Sequence, residues 1–149
     1  MKVVIQRVQH ASVEVEGKCV GDIGKGMLVL HGVEVEDTAE DLEYIVKKTI
    51  NLRIFDDENG VMNESLLQQG GDLLCVSQFT LLANTRKGNR PSYIQAAAPD
   101  VSLPMYERFC ELLSAHLGKP VQRGIFGADM KVTLLNDGPV TIIIDSRNR

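Results

Sequence analysis

The sequence predicts an α/β fold of mixed, largely antiparallel β-sheets with two helices packed on one side. Three observations carry this expectation. Patterned segments follow one another as strands, helix, strands, helix, strands, an order that sets helices against one face of a mixed sheet. The strand segments are rich in Val, Leu and Ile, and the chain has no Trp, so its core is aliphatic. Its 149 residues contain no internal repeat, low-complexity tract or linker, which fits one domain, 1–149, around a single hydrophobic core.

Taken in order, Lys2–Val8 and Ala11–Glu16 read as strands. In the second, Val13 and Val15 alternate with Ser12, Glu14 and Glu16, the period-2 pattern of a half-buried strand. Glu16-Gly17-Lys18 makes a turn, and Cys19–Ile23 pairs back as a short strand. After Gly24-Lys25-Gly26, the run Met27–Val33 is nearly continuous in apolar residues, as a strand covered on both faces would be. Asp37 or Thr38 caps a helix running to about Leu52. Its acids come early (Glu40, Asp41, Glu43) and Lys47-Lys48 late, as the helix dipole favours. Leu42, Ile45, Val46, Thr49 and Ile50 fall on one stripe of it.

Asp56–Gly60 forms a hairpin-type turn in which Asn59-Gly60 tolerates positive φ. Asp72–Leu82 reads as a strong central strand, and Ala83–Pro99 as a polar loop. The second helix spans about Pro104–Leu117, with Gly118 as its C′ residue and Pro120 just beyond. Val121–Ile125, Met130–Leu135 and Val140–Ile144 close the chain as strands.

Charge and cysteine usage narrow the function classes. Sixteen Lys and Arg against 20 Asp and Glu give a net charge of −4. Such a chain is not a general nucleic-acid coat, and any RNA contact must come from a local basic patch. Cys19, Cys75 and Cys110 are odd in number and lie in apolar stretches, against a disulfide framework and for a reducing compartment. His10, His31 and His116 are scattered with no partner at metal-ligand spacing, so neither a metal nor another cofactor is expected. The N-terminal segment has no signal-peptide layout, and no apolar run reaches membrane-spanning length. The expectation is a soluble cytoplasmic protein.

Two segments stand out chemically. Ser77-Gln78-Phe79-Thr80 places polar residues at the end of an otherwise apolar strand. Either the strand merely emerges into solvent there, or its alternation sets Ser77 and Phe79 on one face and Gln78 and Thr80 on the other. In the second case hydroxyls, an amide and backbone N–H groups converge on a ligand. Asn136-Asp137-Gly138-Pro139-Val140-Thr141 is by default a tight connection between two strands. Its Gly-Pro bond can also be cis at modest cost, which would turn two carbonyls in one direction as a rigid gate.

On these two motifs, in this order and spacing, and on Met1–Val8, the chain resembles the D-aminoacyl-tRNA deacylase family (first known as D-tyrosyl-tRNA deacylase) along essentially its whole length. The resemblance implies that family's fold in β/β/α layers. It implies a homodimer with a composite site, in which one subunit supplies Ser77, Gln78, Phe79 and Thr80 and the partner inserts a cis Gly138-Pro139 loop. In the family that loop excludes L-amino acids and leaves room for D-amino acids and glycine. Arg7 is implied to hold the loop's orientation, Met130 to line the pocket, and Phe79 with nearby main-chain N–H groups to cradle the terminal adenosine and its ester. Taken alone, a Met in a strand is more often core.

The reaction implied is hydrolysis of the ester between an amino acid and the tRNA 3′-terminal ribose. Thr80 or Ser77 as nucleophile would need an adjacent general base, and no His has a sequence context that suggests pairing. No Gly-x-Ser-x-Gly elbow occurs either. The resemblance points instead to assistance by the adenosine 2′-hydroxyl, with the protein supplying orientation and main-chain donors. Arg86, Lys87 and Arg90, in the loop after the Ser77–Thr80 segment, are the expected tRNA-phosphate contacts; a solvated basic loop is the plainer alternative. Two other readings stand beside this one: a non-enzymatic nucleic-acid-binding dimer, and an acyl-hydrolase of small metabolites.

Overall fold

The computed structural model describes residues 1–149. Its elements are β1 (Lys2–Val15), β2 (Lys18–Ile23), β3 (Gly26–Gly32), α1 (Ala39–Asn51), β4 (Phe55–Asp56), β5 (Met62–Glu64), α2 (Leu66–Gln69), β6 (Asp72–Ser77), a 3-10 turn (Phe79–Leu82), α3 (Pro99–Leu117), β7 (Gln122–Arg123) and β8 (Lys131–Asp145).

β1 organises the sheet. Its first half pairs antiparallel with β3 (Lys2↔Gly32 through Val8↔Gly26) and its second half with β2 (Ala11↔Ile23 through Val15↔Lys18). β8 runs antiparallel along its opposite edge, from Lys2↔Asp145 to Glu14↔Lys131. β3 continues the sheet through parallel pairing with β6, and β6 with β7. β4 and β5 form a separate small hairpin around Asn59-Gly60.

Alternation along the strands divides the interior into two cores. Val3, Ile5, Met27, Val29, Leu73 and Cys75 face α1 and α3, where they meet Leu42, Ile45, Val46, Ile50, Tyr106, Phe109 and Leu113. Leu28, Leu74 and Val76 point the other way, onto Val8, Ala11, Val13 and Ile23 with Val132 and Leu134 packed alongside. The far ends of β1 and β8, with β2, thus curl over the sheet's second face, which yields the expected β/β/α layering. Met27–Leu30 is apolar throughout because both of its faces are covered.

α1 matches its expected span. Thr38 N–H donates to the Asp41 carboxylate at 2.9 Å, and all five residues of the expected stripe are buried. Gly118 closes α3 in the left-handed region, at φ 71°.

Several expectations need correction. There are three helices rather than two: Leu66–Gln69 is a single turn held by Ser65, whose Oγ accepts from Gln68 N–H, and stopped by Gly70. α3 starts at Pro99, not Pro104. Pro99 takes the N-terminal position that suits proline, while Pro104 lies on the exposed side, where the carbonyl left without its bond meets water. Val121–Ile125 shrinks to Gln122–Arg123. The strand expected over Asp72–Leu82 ends at Ser77, because its partner β3 ends at Gly32. The chain then turns at Gln78 into the 3-10 turn, which drives Leu82 into the core. The proposed two-faced alternation of Ser77 to Thr80 therefore does not exist.

The two terminal strands, expected as Met130–Leu135 and Val140–Ile144, are arms of one strand, β8, and both pair with β1. Gln6 faces Thr141 and Val8 faces Asn136. Asp137, Gly138, Pro139 and Val140 thus form an excursion from the ladder opposite the single residue Arg7, not a hairpin connection.

Candidate active site

A cleft of about 600 Å³ opens where β6 ends. Ser77, Gln78 and Phe79 line it, together with Met130 and the Phe126–Asp129 segment that follows β7. Parallel pairing sets Ser77 beside His31, and the Gln78 N–H donates to the His31 carbonyl at 2.7 Å. That bond fixes the point where the strand becomes a turn. Phe79, 57% exposed, stands at the mouth with its ring edge-on to Tyr93 at 5.0 Å. Tyr106 and Phe126 add further aromatic surface.

Thr80 is exposed and is not part of the cleft wall. Its Oγ accepts a 2.5 Å hydrogen bond from the Gln78 side-chain amide. An amide is no base, so neither Thr80 nor half-buried Ser77 has a partner able to take its proton. His31 is near in space but enclosed: burial, with a smaller push from a neighbouring positive charge, lowers its pKa to about 3. His10 and His116 are both exposed, at β1 and at the end of α3. No group of three or more His, Cys, Asp or Glu side chains converges as a metal site. Because Phe79 and Thr80 begin a helical turn, their N–H groups have no acceptor within it, and such donors suit a developing negative oxygen.

Met130 is half-buried and belongs both to the cleft and to the packing of the second core. Gly124 faces it so closely that a Cβ there would collide with the Met130 sulfur.

The Asn136–Thr141 excursion is built as a rigid unit. Arg7 Nε donates to the Asp137 carbonyl at 2.9 Å, and its Nη1 to the Ile54 carbonyl at 2.7 Å and to the Asp56 carboxylate at 3.3 Å. Gln9 reaches the Asp137 carboxylate at 2.8 Å. Asn136 closes the neck, accepting from Val140 N–H at 2.8 Å and donating to Thr141 Oγ at 3.0 Å. The Gly138-Pro139 peptide is cis, and both residues are exposed. Neither lines the cleft of its own chain. The structure thus brings Ser77, Gln78, Phe79 and Met130 together, and Arg7 with Gly138-Pro139, as two separate groups.

Arg86, Lys87 and Arg90 are exposed on a loop whose neck is tied by paired 2.9 Å bonds between Asn84 and Ser92. Tyr93 follows at once and packs on Phe79, so the basic loop is anchored at the cleft mouth. Tyr93, Tyr106 and Phe126 carry no signal in the sequence, and His31 stands there only as a scattered histidine without a partner. Asn136 is marked only by its place at the head of the Asp-Gly-Pro segment, not as a bracket.

Known proteins resemble this chain along nearly its whole length. Residues 4–145 match the family described as D-Tyr-tRNA(Tyr) deacylase. A D-aminoacyl-tRNA deacylase of Parabacteroides distasonis is 63% identical over 149 residues, covering 100% of this chain and 99% of the relative. One of Bacteroides thetaiotaomicron is 62% identical with the same coverage. Among solved structures, a c-Myc DNA unwinding element binding protein is 42% identical with a TM-score of 0.93, covering 97% of this chain and 98% of that one. A probable eukaryotic D-amino acid tRNA deacylase shares the fold, with a TM-score of 0.83 at 22% identity over 96% of this chain and 97% of that one. From residue 4 to residue 145, therefore, the chain belongs to the D-Tyr-tRNA(Tyr) deacylase family.

Proposed function

We propose that this protein is an aminoacyl-tRNA editing hydrolase that cleaves the ester of D-aminoacyl-tRNA, and of glycyl-tRNA formed by mischarging. L-aminoacyl-tRNA is rejected. The observation that carries the reading is the separation just described. The chain builds an aromatic-walled cleft around Ser77-Gln78-Phe79, and it builds a braced Gly138-Pro139 excursion that is exposed and does not line that cleft. Two such chains related by a two-fold axis complement each other, each giving its excursion to the other's cleft. In that homodimer the main-chain carbonyls of Gly138 and Pro139 face the Cα substituents of the bound amino acid.

In the reaction a water oxygen bonds to the ester carbonyl carbon, the bond from that carbon to the ribose 3′-oxygen breaks, and the proton passes to the departing oxygen. The adenosine 2′-hydroxyl assists the proton's movement, which suits a cleft without a protein base. The N–H groups of Phe79 and Thr80 stabilise the oxyanion, Gln78 orients the Thr80 hydroxyl, and Ser77 positions the ester. Arg86, Lys87 and Arg90 contact the acceptor-stem phosphates.

The test is release of amino acid from D-, L- and glycyl-tRNA and from a D-amino acid ethyl ester. The expected order is D-aminoacyl- and glycyl-tRNA cleaved, L-aminoacyl-tRNA spared, and the ethyl ester nearly inert. Comparable cleavage of the ethyl ester would support an acyl-hydrolase of small metabolites instead. A second reading is favoured by the neighbour known as a DNA unwinding element binding protein: nucleic-acid binding without hydrolysis. Tight tRNA binding with no release from any of these substrates would support it.

A further inference from the structure

We infer that the His31 imidazole is a specificity-determining hydrogen-bonding group at the buried end of the cleft, held unpaired in the protein so as to pair with the polar edge of the terminal nucleoside's base. This rests on reading the cleft as an aminoacyl-adenosine site.

His31 borders the cleft beside Ser77 yet is only 2% exposed. Neither Nδ1 nor Nε2 has a hydrogen-bond partner, and no other buried side-chain nitrogen or oxygen in the chain is so orphaned. Leaving a polar group buried without a partner costs stability, and a leucine of similar bulk would fill the same place at no such cost. Around it the packing is good. The ring stacks on Phe109 at 4.2 Å and 12°, and lies 6.1 Å from Tyr106. The ring is therefore well packed while both of its nitrogens stay unpaired, and a ligand-pairing group needs that free pairing capacity.

The chemistry selects the base rather than the amino acid. Uncharged imidazole offers one donor and one acceptor, and burial keeps His31 uncharged at neutral pH. Adenine presents an amine beside ring-nitrogen acceptors along one edge. Phe79, Tyr93, Tyr106 and Phe126 line the approach with flat apolar faces on which a base can stack. An editing enzyme that accepts many D-amino acids cannot demand one polar side-chain atom, whereas the terminal base is constant. The χ2 torsion of His is soft, so a modest ring rotation turns one nitrogen toward the cleft.

The experiment measures binding of two non-hydrolysable probes, D-alanyl-adenosine with a 3′-amide in place of the ester, and the matching purine riboside that lacks the 6-amino group. Wild type is expected to bind the adenosine probe about tenfold more tightly than the purine probe, as one hydrogen bond between paired groups allows. His31→Leu should bind the adenosine probe about tenfold more weakly, fail to separate the two probes, and melt at or above the wild-type temperature. His31→Asn, which keeps a donor and an acceptor, should recover part of the discrimination. Three results would overturn the inference: wild type failing to separate the probes, His31→Leu binding both as wild type does, or His31→Leu losing affinity equally for both with a lower Tm. Wild type that does not hydrolyse D-alanyl-tRNA would instead overturn the reading of the cleft, and this inference with it.

Discussion

Arg7 Nε donates a 2.9 Å hydrogen bond to the carbonyl of Asp137, the residue just before Gly138. The two lie far apart in sequence, but the register of β1 against β8 puts Arg7 alone opposite the four residues that leave the ladder. The same guanidinium holds the Ile54 carbonyl and the Asp56 carboxylate, so one side chain ties the excursion to the segment after α1.

Arg7→Ala should therefore lower stability by about 2–4 kcal/mol, since it leaves two carbonyls without their donor. Arg7→Lys keeps the charge but lacks the planar fork, and should restore stability more than activity. Denaturant melts beside D-aminoacyl-tRNA turnover would check this. Arg7→Lys with full activity would show that the excursion needs no fixed orientation.

The Gln78–Thr80 bond at 2.5 Å leaves the Thr80 hydroxyl with an amide neighbour and no base. Thr80→Ala should accordingly lower kcat by no more than about tenfold, the loss of one orienting hydrogen bond. A tRNA ending in 2′-deoxyadenosine should be cleaved far more slowly than its ribose counterpart. Trapping an acyl-Thr80 ester, with Thr80→Ala folded but dead, would make Thr80 the nucleophile.

Acid should destabilise the fold through His31. Its folded-state pKa is about 3 against an ordinary 6.5, so below pH 6.5 the unfolded chain takes up a proton that the native state refuses. Stability should fall by up to about 1.4 kcal/mol per pH unit from 6.5 down to the native value, and be unaffected above 6.5. Asp41 acts in a different window. Despite some burial, hydrogen bonds from Thr38 and Ser146 hold its pKa at about 2, so its contribution is present above 3.8 and is lost only below that. Melting at pH 7, 5.5 and 4.5 isolates His31, and His31→Leu should flatten the curve across that range. An unchanged slope in His31→Leu would assign the acid sensitivity elsewhere.

Local chemistry explains what could be read in the sequence. α1 was legible because its cap, dipole order and apolar stripe all lie within one short segment, and β3 because burial on both faces leaves no polar gap. The sequence pattern of β6 runs past its true end because Phe79, Leu81 and Leu82 are as apolar as a strand. What ends the strand is the loss of its partner at Gly32, a fact of pairing that leaves no mark in the segment itself. The excursion of β8 resembles a turn in the sequence for a similar reason. Asp-Gly-Pro signals a break in regular pairing, but only the register against β1 tells a bulge from a hairpin. His31 had no local signal at all, since its orphaned nitrogens result from Phe109 and Tyr106 packing over it from α3.

The proposed composite site can be tested by complementation. Gly138 has φ +136°, and a Cβ there would sit 2.8 Å from Val140 Cγ2 and 3.1 Å from an Arg7 guanidinium nitrogen. Gly138→Ala should therefore displace the excursion and abolish activity while the cleft of the same chain stays intact. Phe79→Ala damages only the cleft, and because Phe79 is 57% exposed its loss should change stability by little. Each variant alone should be nearly inactive. In a heterodimer isolated with two different tags, one site combines both defects, while the other pairs an intact Phe79 with an intact partner excursion. Its activity should recover to about half that of wild type, as two-fold symmetry requires. A heterodimer as inactive as its parents would mean that each chain completes its own site, and a protein that sediments as a monomer while retaining turnover would lead to the same conclusion.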